Sequence, residues 1–321
     1  MSSQIFGDAT IYASLISLMS IGLTLIFITT KVSNFAHGST ASIGIYVSLT
    51  ATRIWETSAY YGLPIAFALG GLASLALYVV VIRPLMRKDA SSVSLLAATL
   101  AYDLLLVAGL NIYADYLTRV YKVSSRAFIL RGTDFTILGQ PGILFVSTGL
   151  TLSIIVILYL VLTRTKFGTA MRAVVENPQL ASVMGVNTNL ILSTSWFLAG
   201  GLASAAGVLL PLWFMCGPQT GSSILLSIFA ASVVGGLSSI FGSALGGYLV
   251  GMTEILATNY LAQSVGAWII SYRPAIPLLA IVVTLLIAPT GLAGIDLGRI
   301  LRLRVSKKRV GGGMMSAGSA A

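Results

Sequence analysis

The 321-residue chain is poor in charge: only 9% of its residues are Asp, Glu, Lys or Arg, against about 25% in an ordinary soluble domain. With 56% hydrophobic residues and a mean hydropathy of +0.94, this excludes a soluble globular protein. Cysteine and histidine are almost missing. One cysteine, Cys216, cannot form an internal disulfide, and with the single His37 it leaves no Cys/His metal cluster, so no metal site is expected. No Gly-Lys dipeptide occurs, which removes the P-loop and any ATPase of that type. Gly-x-Ser-x-Gly and His-Glu-x-x-His are absent too, so an enzyme has no residues to stand on, and no cofactor is expected on the chain itself. Met1–Thr10 has no Lys or Arg, hence no signal-peptide n-region, and the first apolar run is expected to stay as a spanning helix.

What is present is a series of charge-free windows, each long enough to cross a bilayer at about 20 residues per crossing. They are Ala9–Thr30, Val32–Thr52, Thr57–Ile82, Ala90–Ala114 (interrupted only by Asp103) and Phe135–Thr163, the last starting near Ile143 after the breaker Gln140-Pro141-Gly142. The charge-free stretch from Asn177 to Thr253 divides at Gly217-Pro218-Gln219 and at Gly235–Ser239. It gives spans at Leu190–Trp213, Ser222–Val234 (short) and Ile240–Thr258, with a last span at Ala275–Ala288. The expected fold is an all-α polytopic membrane protein of eight or nine helices: one transmembrane domain over 1–298, then a basic, disordered tail over 299–321.

The net charge of +10 would raise the question of nucleic acid in a soluble protein. Here Lys and Arg sit at the ends of apolar runs, where they set orientation in the bilayer, so no nucleic-acid partner is expected. Thirteen of the nineteen fall on one side when Arg83, Arg87 and Lys88 are placed inside, including the tail from Arg299 to Arg309. That makes the C-terminus cytoplasmic and faces the excess toward anionic lipid. The loop Asp115–Asp134 then lies outside despite four basic residues, and is expected as a surface-lying amphipathic segment.

Four features are candidates for function. Between Arg164 and Asn189, Asn177 before Pro178 reads as an N-cap with proline at the first helical position, and Ala181 and Gly185 give a small-residue face on a short helix. Such a helix either docks into a cleft of another protein or is a capped interfacial helix without a partner. Gly242 with Gly246 and Gly247 with Gly251 are GxxxG pairs, and Ala203 with Gly207 is a small-xxx-small pair; they serve either internal packing or a subunit seam. In Asn34-Phe35-Ala36-His37-Gly38, Asn34 can cap the second helix, and His37 is either a proton carrier or a hydrogen-bonded structural residue. Asp103 and Glu254 lie within spans, either as a proton relay or as paired, hydrogen-bonded carboxyls, with Arg273 a partner for Glu254.

The ordered motifs Asn34–Gly38 with Ile43-Gly44, Arg83-Pro84, Gly168-x-x-x-Arg172-Ala173, Glu176, Ala181-Ser182, Met184–Asn187, Val234–Ile240 with Gly242, and Pro289–Leu292 cover nearly the whole chain. On these residues it resembles the permease subunit of ATP-binding-cassette importers for branched-chain amino acids. The resemblance implies a second permease subunit (a paralogue or a second copy), two cytoplasmic ATPases using ATP and Mg, and an extracytoplasmic solute-binding protein, in a prokaryotic inner membrane. It implies an ATPase-coupling helix at Arg172, Glu176, Asn177, Pro178, Ala181 and Gly185. Asn34, His37 and Gly38 become candidate pathway residues, and Gly235, Gly236, Gly242, Gly246, Gly247 and Gly251 a packing seam. Asp103 departs from the family pattern. Two alternatives stand beside this reading: the same machine importing urea, short amides or another small polar solute, and a proton-coupled secondary transporter or channel using Asp103 and Glu254.

Overall fold

The computed structural model describes residues 3–137 and 139–294. The tail 299–321, and with it the charges from Arg299 to Arg309, lies outside the described residues. Among those described, the chain is about four-fifths helical, and seven helices are long and apolar enough to cross a membrane. Every backbone polar group must find a partner within lipid, which helices achieve internally. The helices are α1 (Ser3–Thr30), α2 (His37–Arg53), α3 (Gly62–Ala76), α4 (Arg83–Arg87), α5 (Ser92–Tyr121), α6 (Gly142–Arg164), α7 (Lys166–Glu176), α8 (Pro178–Val183), α9 (Thr188–Leu209), α10 (Thr220–Gly235), α11 (Ile240–Ser264) and α12 (Ala275–Ile287). A short 3-10 turn leads into α3, and a π-turn at Leu77–Ile82 joins it to α4, so Ala59–Arg87 is one continuous rod. A two-residue hairpin, β1 (Thr136–Ile137) with β2 (Gln140–Pro141), precedes α6.

Successive membrane helices, α2 and α10 included, run in opposite directions and define two ends. One carries Asp8, Trp213 and Arg273 and is tied by Trp213 Nε1 donating to Asp8 Oδ1 at 3.0 Å. The other carries Lys31, Arg87 and Arg172. The centre is α1 and α9, almost wholly buried, whereas α5, α6 and α12 are exposed along most of their length. Small residues bring the central backbones together. A Cβ on Gly247 or Gly251 would strike the backbone of Ser17 or Ala13 on α1, and one on Gly44 or Gly207 would strike the Ser204 or Ala41 carbonyl across the α2–α9 crossing. Ser17 and Ser20 add hydroxyl bonds of 2.8 Å to the carbonyls of Ala244 and Ser243 on α11. Close backbone approach with serine bridges is how helices associate where lipid offers no hydrophobic drive.

Two expectations need correction. The second span does not start at Val32: α2 begins at His37, and residues 31–36 are an irregular lead-in with Lys31 in the left-handed region at φ 57°. The cause is local, since Asn34 turns the chain by accepting the Ala36 N–H on its side chain at 3.1 Å. The loop expected from Asp115 also begins later. α5 continues through Arg119 to Tyr121, and the chain then leaves it at the left-handed Lys122 and runs irregularly to pair Phe128 with Cys216, while Arg126 holds Asp115 through a two-pronged ion pair with Nη2 at 2.8 Å.

Candidate functional site

The helix pair at the Lys31 end shows the expected grammar. Asn177 caps α8 by accepting the Leu180 N–H at 2.9 Å, and Pro178 occupies its first turn. Thr165 caps α7 through the Gly168 N–H at 3.3 Å. Arg172 reaches back from α7 to the Leu162 carbonyl, fastening α7 to the end of α6, and Glu176 ends α7 in an exposed position. Gly185 follows α8 at φ +86°, where a side chain would be strained though nothing crowds the space. One detail corrects the small-residue face. Ala181 is buried against the chain and Gly185 is exposed, so the two do not form one surface. Beside the polar Gln179 and Ser182, α8 and the residue that ends it expose large apolar side chains: Leu180, Val183 and Met184 are 60%, 82% and 77% exposed. Beside α7, a groove of about 420 Å³ runs to the α10–α11 turn, lined by Ile28, Leu162, Arg172, Glu176, Ser239 and Phe241.

The second site is at mid-depth, where α2 and α10 both begin. His37 Nε2 lies 2.9 Å from the carbonyl of Met19, in the middle of α1. From Thr30 at the end of α1 the chain has therefore climbed back beside eleven residues of it, roughly 16 Å at the α-helical rise. The lead-in that makes this climb is held by Thr99 of α5, which donates to the Ser33 carbonyl and accepts the Phe35 N–H, both at 3.3 Å. Irregular backbone at this depth is tolerated where protein covers it. α10 starts at the same level and runs the opposite way: Gly221 N–H donates to Ser42 Oγ at 3.0 Å, Phe35 packs on Phe229, and Cβ atoms on Gly38 or Gly221 would run into each other's carbonyls. Each is a half-span, and their first turns overlap.

Asp103, near the middle of α5, points into that overlap. Ser39, third residue of α2, donates to Asp103 Oδ1 and lies 3.0 Å from the hydroxyl of Ser222, third residue of α10. Helix N-termini carry partial positive charge, and the first turns of α2 and α10 lie beside this carboxyl group. His37 is wholly buried and hydrogen-bonded at Nε2, which matches a structural histidine; its Nδ1 and Asn34 Nδ2 are buried without a partner among the described residues. Asn34 thus caps the lead-in turn and not α2 itself, whose N-cap is Ala36.

Glu254 is in a different setting, toward the Asp8 end. Arg273 Nε donates to its Oε1 at 2.7 Å and Tyr12 OH at 3.0 Å. The Arg273 guanidinium also sits 4.3 Å from the Tyr12 ring centre and 5.8 Å from that of Trp213, a cation–π arrangement. Arg273 therefore links α1, α11 and the segment after α9. No bonded chain of titratable groups joins Glu254 to Asp103 among the described residues. The glycine pairs serve internal packing: Gly242 and Gly246 meet Gly235 and Ala231 of α10, Gly247 and Gly251 meet α1, and Gly236, at φ +101°, turns α10 away beside Thr290.

Sequence reasoning missed the half-span character of α2, the serines Ser39 and Ser222, and the aromatic partners Tyr12 and Trp213. The density of hydroxyl residues in 39–52 was the available clue. A polar helix start in a bilayer needs covering elements beside it.

A family model described as the permease component of branched-chain amino acid transport systems matches residues 5–293. The probable branched-chain amino acid transport permease protein LivH of Methanocaldococcus jannaschii is 42% identical over 300 residues, covering 94% of this chain and 95% of that protein. The high-affinity branched-chain amino acid transport system permease protein LivH of Salmonella typhimurium is 25% identical over 91% of this chain and 94% of its own. Among solved structures, PsaBC from Streptococcus pneumoniae in complex with Fab aligns over 94% of this chain and 96% of that one, at 14% identity and a TM-score of 0.49. The chain belongs to the branched-chain amino acid permease family and is a multi-pass transport subunit.

Proposed function

We propose that this member of the permease family forms, with a second permease subunit, the membrane path of an ATP-driven importer for branched-chain amino acids. Two ATPase subunits, using ATP and Mg, grip the Lys31 end, which faces the cytoplasm; a solute-binding protein delivers cargo at the Asp8 end. The observation that carries this reading is the capped α7–α8 pair, held outside the bundle with Leu180, Val183 and Met184 exposed. Three large apolar side chains on a polar-capped helix beyond the last spanning turn are costly to leave in water, and a cleft on an ATPase subunit covers them. Rearrangement of that cleft on ATP binding moves α8. Arg172 passes the movement to α6, and the glycine seams let central helices tilt between two packed arrangements.

The chain has no nucleotide site of the P-loop type, so energy enters through the partners, and the permease contributes two conformations whose balance the partners bias. The proton-coupled alternative is weakened by the ion pair: Glu254 is already committed to Arg273. Replacing Gly185 by valine strains the left-handed turn that ends α8, and is expected to cut leucine uptake in reconstituted vesicles at least about tenfold while the ATPases continue to hydrolyse ATP, a loss of roughly 1.4 kcal/mol of coupling. Normal, ATP-dependent uptake by that variant overturns the docking assignment.

A further inference from the structure

Asp103 has no cationic partner among the described residues. Among the described residues, both ion pairs lie toward the Asp8 end of the chain, Arg126 with Asp115 and Arg273 with Glu254. Asp103 sits mid-depth with one oxygen held by Ser39 and the other without a hydrogen-bond partner. It is also not sealed. Its residue is partly exposed, on the helix whose neighbouring side chains Leu104 and Leu105 are 70% and 69% open. A carboxylate at that depth does not face hydrocarbon; ionisable groups inside a membrane turn toward water or protein. The face of α5 through Asp103 therefore looks onto the interior of an assembly, while Leu104 and Leu105, one and two positions on, turn away from it around the helix.

The carboxylate is also positioned. Ser39 fixes one oxygen, Ser222 fixes Ser39, and the first turns of α2 and α10 lie beside the group but bring no cationic side chain to it. A structural carboxyl in this protein is treated otherwise: Glu254 has an arginine, a phenol and two aromatic faces about that arginine. An anion held in place, left with one open oxygen and given no partner cation is arranged for a cation that comes and goes. We propose that Asp103 is a mid-membrane subsite for a primary ammonium group, the positive end of a zwitterionic amino acid in transit. This rests on the permease reading above and adds to it a residue that contacts cargo. Asp103 accepts the ammonium N–H on its free oxygen, a charge-assisted bond. Ser39 and Ser222 are positioning residues that keep the carboxylate from swinging to lipid.

The test uses the assembled importer in proteoliposomes with L-leucine as the probe. Wild-type complex that moves no leucine overturns the cargo reading of the preceding section, whatever Asp103 does. Given wild-type uptake, Asp103→Asn is expected to lower the maximal rate about tenfold or more, the usual scale for removing one charged hydrogen bond, and Asp103→Glu to restore part of it. A membrane-impermeant cationic thiosulfonate is expected to label Asp103→Cys about tenfold faster than Leu104→Cys, and leucine with the binding protein to slow the reaction during turnover. Uptake by Asp103→Asn within about twofold of wild type, equal labelling at 103 and 104, or labelling at 103 indifferent to leucine each overturns the inference. Failure of Asp103→Asn to retain the second permease subunit on co-purification also overturns it, by making Asp103 a subunit contact. The labelling arm does not depend on that variant folding.

Discussion

Two acids within the spans, Glu254 and Asp103, are solved in opposite ways by one bundle. Glu254, 3% exposed, is closed off: Arg273 and Tyr12 both donate to one of its oxygens, and the guanidinium lies against two aromatic rings. Asp103 is open on one side, bonded to a single hydroxyl and flanked by two helix starts. The first arrangement has a fixed partner and joins three segments at the Asp8 end, so its work is to hold them. The second has an anchor but no counter-charge, so it keeps its interaction in reserve. Whether the fold supplies the cation decides which kind of site a membrane acid makes.

The sharpest way to break this contrast is to remove the cation from the closed site. Arg273→Ala leaves Glu254 buried and unpaired, which costs about 3–5 kcal/mol when one member of a buried pair is deleted. The variant is expected to lose a large part of its thermal stability in detergent, measured by the temperature at which half the protein aggregates. Replacing both partners, Glu254→Gln with Arg273→Met, is expected to recover most of that loss, since apolar replacement of a whole buried pair is often neutral. If Arg273→Ala is as stable as wild type, the clasp holds nothing and the distinction between the two acids falls.

A smaller effect separates the hydroxyls that serve each acid. Tyr12→Phe keeps the ring under Arg273 but deletes the bond to Glu254, and is expected to cost roughly 1–3 kcal/mol of stability, the range for hydrogen bonds to charged groups. Ser39→Ala deletes the bond to a partly exposed Asp103 and is expected to cost about 0.6 kcal/mol, the average for side-chain bonds between membrane helices. It should nevertheless slow leucine uptake more than Tyr12→Phe does, because it frees the carboxylate. Unfolding midpoints and initial uptake rates, measured on both variants, check the crossing of the two orders.

Much of this was legible in the sequence, and the reasons differ by element. Charge-free windows located the membrane helices because hydrophobic length is a near-complete specification of a span. Asn177-Pro178 gave the start of α8 because capping is local chemistry, fulfilled within three residues. The pairing of Glu254 with Arg273 was readable as one of two choices, since both sit near the same end. The start of α2 was not, because the lead-in 31–36 is stabilised from α5 through Thr99, sixty-odd positions away. Asp103 resisted for the same reason. Its meaning depends on Ser39 and Ser222 meeting at the overlap of two half-helices, and no local pattern states which serines meet. Ala181 and Gly185 show the converse error, a correct spacing read as one face when the helix ends before Gly185 and the chain leaves it in a left-handed turn.

The smallest expected effect decides whether labelling at position 103 can be read at all, because the chain already carries a thiol. Cys216 is 2% exposed, its backbone paired with Phe128 on both sides, N–H to carbonyl at 2.8 Å and carbonyl to N–H at 3.0 Å. Its thiol is turned to the Phe214 carbonyl at 3.5 Å. Burial also holds that thiol well above the usual cysteine range. The thiolate is the reacting form, and a raised value means the protonated thiol persists to higher pH. Labelling of folded wild-type protein is therefore expected to stay near background from pH 7 to about 9, over which a free cysteine with a value near 8.5 passes from mostly thiol to mostly thiolate. Unfolding in detergent and denaturant should release one reactive thiol per chain. Background labelling then leaves the Asp103→Cys and Leu104→Cys rates free of a native contribution, without a second substitution in the segment that leads into α10. Rapid labelling of the folded wild type, rising through pH 8 to 9, would show the Phe128–Cys216 pairing to be open in solution and that lead-in to be unfixed, and with it one of the two helix starts beside Asp103.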